Sequence, residues 1–219
     1  MEEASAVFYL GDDTLGLTLT DKLRRNTLAA RLRQSGNWLN VIPGAHGLSV
    51  QYDPLDIAPI EAKARLEAAL ASKVLPAQTS SKHWDIPVCY APEFALDMPE
   101  ISRQTGYTAQ EIIASHTSAA FTVDMIGFTP GFAYLESAKP IPDIARLATP
   151  RQSLPGGSVG LAGGLCGLYA LAGPGGWPII GRTPMPLFQP AQADPFCLNP
   201  GDTVGFSPIC EAEFRKLSQ

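Results

Sequence analysis

The sequence predicts an α+β protein in two parts, a small β/α unit followed through a helical connector by a β barrel or sandwich. Two observations carry this. Before about residue 120, stretches with helical apolar spacing alternate with short extended runs. After it, glycine and proline fall every few residues, which forbids long helices and suits short strands joined by tight turns. The 219 residues, 45% hydrophobic and 17% charged, suffice for one large or two modest globular domains.

Residues 6–18 begin with the apolar run Val7 to Leu10, meet Gly11-Asp12-Asp13, and resume alternation at Leu15, Leu17 and Leu19. This predicts a hairpin or two short strands. Residues 21–34 carry Leu23, Leu28, Ala29 and Leu32 at helical spacing behind Asp21, a suitable N-cap, and Gly36 closes that helix. Residues 39–41 and 48–52 read as strands around a Pro-Gly turn, residues 60–75 as a second helix, and residues 82–90 as a further strand. Residues 1–90 thus form the α/β domain. Residues 91–119 form the helical connector, in which Thr108 and Glu111 stand at capping-box spacing before Ile112 and Ile113. Residues 120–219 form the β domain, starting from the apolar run 121–128, and no fixed repeat period runs through either half.

Composition excludes several classes. The net charge is -5 and basic runs are absent, which argues against nucleic acid as a partner. Residues 1–6 hold two acidic residues and no basic one, and no apolar stretch approaches the roughly 20 residues that span a bilayer. Cys89, Cys166, Cys197 and Cys210 lack zinc-site spacing, so reduced thiols in the cytoplasm are expected. His46, His83 and His116 are scattered, and no metal site is expected.

Between Leu147 and Phe214 the basic side chains are Arg151 and Arg182, in a Gly-rich region with little other charge. A guanidinium offers a rigid fork matched to carboxylate or phosphate, so the pair suits an anionic ligand; alternatively, each is a rim residue with a solvated head. Phe128-Thr129-Pro130-Gly131-Phe132 reads either as a ligand-facing loop or as a turn anchored by two core aromatics. Residues 154–160 look like a phosphate cradle, yet they lack the Gly-Lys-Ser/Thr ending and a following helix, so barrel corners explain the glycines as well. His116, near the end of the connector helix, can serve as a general base or anion contact reaching the Thr129 loop, or simply stabilise the helix end. Cys166 with His116 as its base is a weaker nucleophile candidate, because no basic neighbour or helix N-terminus lowers its pKa. Asp202 is explained by turn chemistry.

Five separated motifs occur in order: residues 125–132 (Met-Ile-Gly-Phe-Thr-Pro-Gly-Phe), Leu147 to Arg151, Pro155 to Gly164, Gly175-Gly176-Trp177 with Ile180 to Pro184, and Leu198 to Pro208. Over nearly the whole chain the sequence resembles the family of the B-type subunits of 5-oxoprolinase. That family also contains Kip-type inhibitors of sensor histidine kinases and the first subunit of allophanate-hydrolase-like proteins. The resemblance implies a small N-terminal α/β domain and a cyclophilin-like β barrel. It implies a C-type subunit of the same family as direct partner, an A-type subunit for full activity, and ATP-dependent opening of 5-oxo-L-proline to L-glutamate. ATP is used by the complex, and the chain alone is expected to be inactive. Activating a stable lactam by phosphorylating its amide oxygen makes the ATP requirement chemically sensible. The candidate catalytic residues are His116, Arg151 and Arg182, the two arginines matching the family's Thr-Pro-Arg and Gly-Arg-Thr-Pro motifs, with Phe128, Thr129, Gly131, Phe132, Ser158 and Gly160 as candidate substrate contacts and no metal. The alternatives are a Kip-type kinase inhibitor and a component of an enzyme for another amide or acyl urea. The sequence departs from the family pattern at Ala91-Pro92-Glu93-Phe94, commonly Gly-Gly-Glu-Phe, and at Cys166-Gly167, usually Thr-Gly.

Overall fold

The computed structural model describes residues 6–72, 81–192 and 195–218. The chain divides into two compact units, Met1–Ser80 and Ser81–Gln219.

The first unit contains β1 (Val7–Tyr9), β2 (Thr14–Thr18), α1 (Lys22–Gln34), β3 (Asn40–Gly44), β4 (Gly47–Gln51) and α2 (Pro59–Ala71). The strands form an antiparallel sheet in the order β1-β2-β4-β3. Asp21 caps α1 as expected, its carboxylate accepting from Arg24 N at 2.8 Å. Leu15, Leu17 and Val50 alternate onto the inner face and pack in one core with Leu28 and Leu32 of α1 and Leu66 of α2. Tyr52 is fully buried there, its hydroxyl donating to Asp12 O at 2.7 Å. The second helix ends at Ala71, short of the expected 75, which lies outside the described residues.

The second unit contains β5 (His83–Cys89), α3 (Met98–Thr105), α4 (Ala109–Ser118), β6 (Phe121–Ile126), β7 (Ala133–Ser137) and β8 (Arg151–Leu154). It continues with β9 (Ser158–Ala162), β10 (Leu165–Leu168), β11 (Gly173–Gly175), β12 (Ile179–Arg182), β13 (Thr203–Ile209) and α5 (Glu211–Leu217). Seven strands close a barrel in the order β10-β7-β6-β13-β5-β12-β9, with β8 and β11 paired as a separate ribbon. The fold is therefore α+β, a small N-terminal α/β part followed by a β barrel. Thr108 and Glu111 make the expected capping box: Glu111 Oε2 accepts from Thr108 N at 2.8 Å, and Thr108 Oγ1 accepts from Glu111 N at 3.3 Å. Ile101 of α3 and Ile112 of α4 are fully buried in the barrel core. Among the described residues no helix is long and apolar enough to cross a membrane.

The strand expected to complete the N-terminal domain belongs instead to the barrel. β5 runs parallel to β13, in register from His83–Thr203 to Cys89–Ile209. Its partner lies about 120 positions downstream, so no local pattern reports the pairing. Asp202 holds the start of this pair. It is 3% exposed; its Oδ1 accepts from Lys82 N at 2.9 Å, and its Oδ2 accepts from Trp84 Nε1 and Asn199 N, both at 3.0 Å. Asp202 is thus more than a turn residue, because its carboxylate satisfies three donors from both strands' entry points.

Replacing Asp202 by Ala would strand partly buried donors on β5 and the turn. The expected loss is about 2–4 kcal/mol of unfolding free energy, read as a lower urea midpoint at unchanged m-value.

Candidate functional site

The turn between β8 and β9 organises one end of the barrel. Gly157 has φ 83°, and a side chain there would overlap Thr183 O, so only glycine lets the turn lie against the chain leaving β12. Thr183 N donates to Gly157 O at 2.8 Å, and Gly157 N donates to Tyr169 O at 2.7 Å. Ser158 is buried, its hydroxyl donating to Pro155 O at 2.7 Å, so this expected substrate contact shapes the turn. Gly160 is also buried and lies under Trp177, whose Cβ would be 3.0 Å from a Cβ added there.

Arg182 ends β12 beside this turn. Its Nε donates to Gly156 O at 2.8 Å, and its guanidinium carbon lies 5.7 Å from the centre of the Phe214 ring. Both Nη groups are without a hydrogen-bond partner among the described residues. The guanidinium is anchored at one edge and open at the other.

Residues 127–132 form the loop between β6 and β7. Gly127 N donates to Phe132 O at 3.0 Å, Phe132 N to Thr129 O at 3.0 Å, and Thr129 N to Gly127 O at 2.9 Å. This network holds Phe128 at φ 68°, a costly conformation for a bulky residue, and leaves the residue 62% exposed. Gly131, at φ 74°, approaches Ala170 so closely that an added Cβ would lie 2.8 Å from the alanine Cβ. On its other side Ala170 O would be 3.2 Å from a Cβ on Gly156. Ala170 therefore stands between the Thr129 loop and the turn that anchors Arg182. Phe132 does not face outward; it is 1% exposed and makes edge contacts with Tyr134, Tyr169 and Trp177 at 4.7–5.8 Å.

The other two basic candidates lie elsewhere. Arg151 makes a bidentate ion pair with Asp97, Nη1 to Oδ2 at 2.9 Å and Nη2 to Oδ1 at 2.7 Å. Asp97 also accepts from Ile179 N at 2.7 Å, and its own N donates to Ile179 O at 3.0 Å. This aspartate carries no local sequence signal: its partners lie 54 and 82 positions away. Arg151 thus clamps α3 to the ribbon and β12, and its charge is matched internally.

His116 lies in the barrel core, 1% exposed, stacked on Phe206 at 4.2 Å. Its Nδ1 is 2.7 Å from the Tyr90 hydroxyl and its Nε2 is 3.4 Å from Cys166 Sγ. Burial pushes the imidazole down to about 3 and pushes the Cys166 thiol up, so both are neutral at pH 7. The expectation that His116 reaches the Thr129 loop as a base is corrected: both nitrogens are occupied inside the core. The Cys166–His116 contact exists, but desolvation disfavours the imidazolium–thiolate form that a nucleophile needs.

A cleft of about 500 Å³ opens between Thr105, Tyr107, Glu111, Ser115 and residues 140–143. Two of its walls are the carboxylates Glu111 and Asp143, the wrong sign for an anionic substrate, and none of the residues expected from sequence lines it. Among the described residues no three His, Cys, Asp or Glu side chains converge as a metal site.

The carboxyltransferase domain model, subdomain C and D, matches residues 3–198. The 5-oxoprolinase B-type subunit from Bacillus subtilis (strain 168) is 35% identical over 192 residues, covering 83% of this chain and 80% of that protein. The chain belongs to the family of 5-oxoprolinase B-type subunits. The corresponding protein of Escherichia coli O157:H7 is also 35% identical, over 88% of each chain. A conserved uncharacterized protein from Pyrococcus horikoshii is 34% identical, with TM-score 0.58 over 95% of this chain and all of that one. The fold also recurs in the Kluyveromyces lactis urea carboxylase, with TM-score 0.76 at 18% identity over 97% of this chain and 22% of that one. Where this family member departs from the usual Gly-Gly-Glu-Phe element, Phe94 is buried and packs on Phe214 at 4.3 Å between ring centres.

The buried histidine sets an acid limit on stability. An unfolded histidine binds its proton near pH 6.5, whereas His116 in the folded chain stays neutral down to about 3. Its stabilising contribution is complete above pH 6.5 and is lost as pH falls toward 3, by about 1.4 kcal/mol per unit. In urea titrations between about pH 6 and 4, His116→Gln is expected to flatten the pH slope by about one proton relative to the unsubstituted chain.

Proposed function

We propose that the chain is the B-type component of an ATP-dependent 5-oxoprolinase that opens 5-oxo-L-proline to L-glutamate together with C-type and A-type partners, in the cytoplasm. The observation that carries this reading is Arg182: a guanidinium anchored at Nε, open at Nη, and placed within one of the motifs shared with the family. The three curated relatives, each named as the B-type subunit of 5-oxoprolinase, support the substrate. The free thiols of Cys89, Cys166 and Cys210 are compatible with a reducing compartment.

The Gly156-Gly157 turn does not fit a nucleotide cradle. It leads into strand β9 rather than a helix, and Gly157 N is already spent on Tyr169 O. That turn is therefore not assigned the nucleotide, which the complex as a whole uses in this reading. What this chain contributes is positioning: the Nη edge of Arg182 holds the substrate carboxylate or the charge that develops during ring opening. The loop bearing exposed Phe128 reaches the turn that anchors Arg182 through Ala170, and in this reading a C-type partner completes the site. Arg151, whose fork is already filled by Asp97, supports the scaffold.

In the reconstituted complex, Arg182→Lys keeps the charge but loses the fork, and Arg182→Ala loses both. Activity should fall from wild type to Lys to Ala, the Ala variant costing on the order of 2–5 kcal/mol of transition-state stabilisation with its melting temperature little changed. Full activity of Arg182→Ala in the complex would overturn this reading, as would turnover of 5-oxoproline by the isolated chain. Arg151→Ala should instead lower thermal stability, by about 1–3 kcal/mol, because it leaves Asp97 buried without its partner; the ion pair's partial exposure holds the figure below that of a fully buried one.

A further inference from the structure

Resting on the assignment of Arg182 as the anion contact, we propose that helix α5 is its positioning element, with Phe214 fixing the plane of the guanidinium. Phe214 is 6% exposed, and its ring lies 5.7 Å from the Arg182 guanidinium carbon. The ring has little freedom to move. Phe94 packs against it at 4.3 Å between centres, and Cys89 shares the same small apolar cluster. The helix is itself tied down. Its first turn is closed by Glu213 Oε2, which accepts from Cys210 N at 3.0 Å, and Arg215 pairs with Glu93 at 3.3 Å.

The geometry selects one recognition mode. Nε donates to Gly156 O, so the side fork formed by Nε and one Nη is closed. The π face of Phe214 disfavours rotation of the guanidinium out of its plane, because a cation over an aromatic face is stabilised by the ring quadrupole. What remains is the end-on pair of Nη1 and Nη2, which matches the two oxygens of a carboxylate or phosphoryl group. A ligand without two such oxygens gains only one bond there. A freely rotating arginine would have to be ordered at each binding event, whereas this one is ordered beforehand.

The test compares Phe214→Leu, which stays apolar but removes the π face, with Phe214→Tyr, which keeps it. Two readouts are used on the full-length chain. In NMR of the isolated protein, the Arg182 Nε–H should be protected from exchange in wild type and Phe214→Tyr, and lose that protection in Phe214→Leu. In the reconstituted complex, KM for 5-oxoproline should rise on the order of tenfold in Phe214→Leu and return to within about twofold of wild type in Phe214→Tyr. In an Arg182→Ala background, Phe214→Leu should add no further loss. Unchanged Nε–H protection in Phe214→Leu, or an equal cost in both arginine backgrounds, would overturn the proposal. If protection is lost while Arg182→Ala is fully active, the positioning by Phe214 stands and the functional reading of Arg182 fails. Should Phe214→Leu lose the helix, Phe214→Met is measured in the same way and decides by the same outcomes.

Discussion

The barrel depends on a buried carboxylate. Asp202 accepts hydrogen bonds from Lys82 N and the Trp84 indole on one strand's entry and from Asn199 N at the other's turn, joining segments about 120 positions apart. That join sets β5 parallel to β13, and the parallel pair is what lets seven strands close on themselves. Closure removes the exposed edges an open sheet would present. Asp97 repeats the device elsewhere in the barrel, gathering Arg151 and Ile179 N around one carboxylate. Both side chains are nearly inaccessible, so their cost of desolvation is offset only because every oxygen is occupied.

On this scaffold the candidate site is built more by close backbone approach than by polar side chains. Gly157 allows the β8–β9 turn to rest on Thr183, and Gly131 allows the Thr129 loop to rest on Ala170. The result is one open guanidinium edge, an exposed phenylalanine held at positive φ, and no accessible general base among the residues first suspected. A site of that kind binds and orients, and it fits a protein whose chemistry is completed by a partner. The strain at Phe128 is retained because three loop hydrogen bonds over-determine it.

The buried Tyr90–His116–Cys166 line shows how sequence proximity to a motif can mislead. The residue types are those of a nucleophile and its base, and the contact between them is real. Burial decides the chemistry: without water or a counter-charge, the neutral forms are strongly preferred, and the trio becomes a satisfied polar path inside an apolar core.

Local interactions were legible in the sequence by itself. The Asp21 cap, the Thr108–Glu111 capping box and the alternation of Leu15, Leu17 and Leu19 each involve residues within a few positions of one another, and periodicity reports them directly. The ordered Gly-rich motifs also sufficed to identify the family, and they pointed to Arg151 and Arg182 together without distinguishing them. Tertiary structure alone decided that β5 belongs to the barrel, that Asp97 fills the fork of Arg151, and that His116 is enclosed. Each of these is a pairing or burial between residues tens to more than a hundred positions apart, for which the chain carries no period and no spacing, only the free energy of the folded whole.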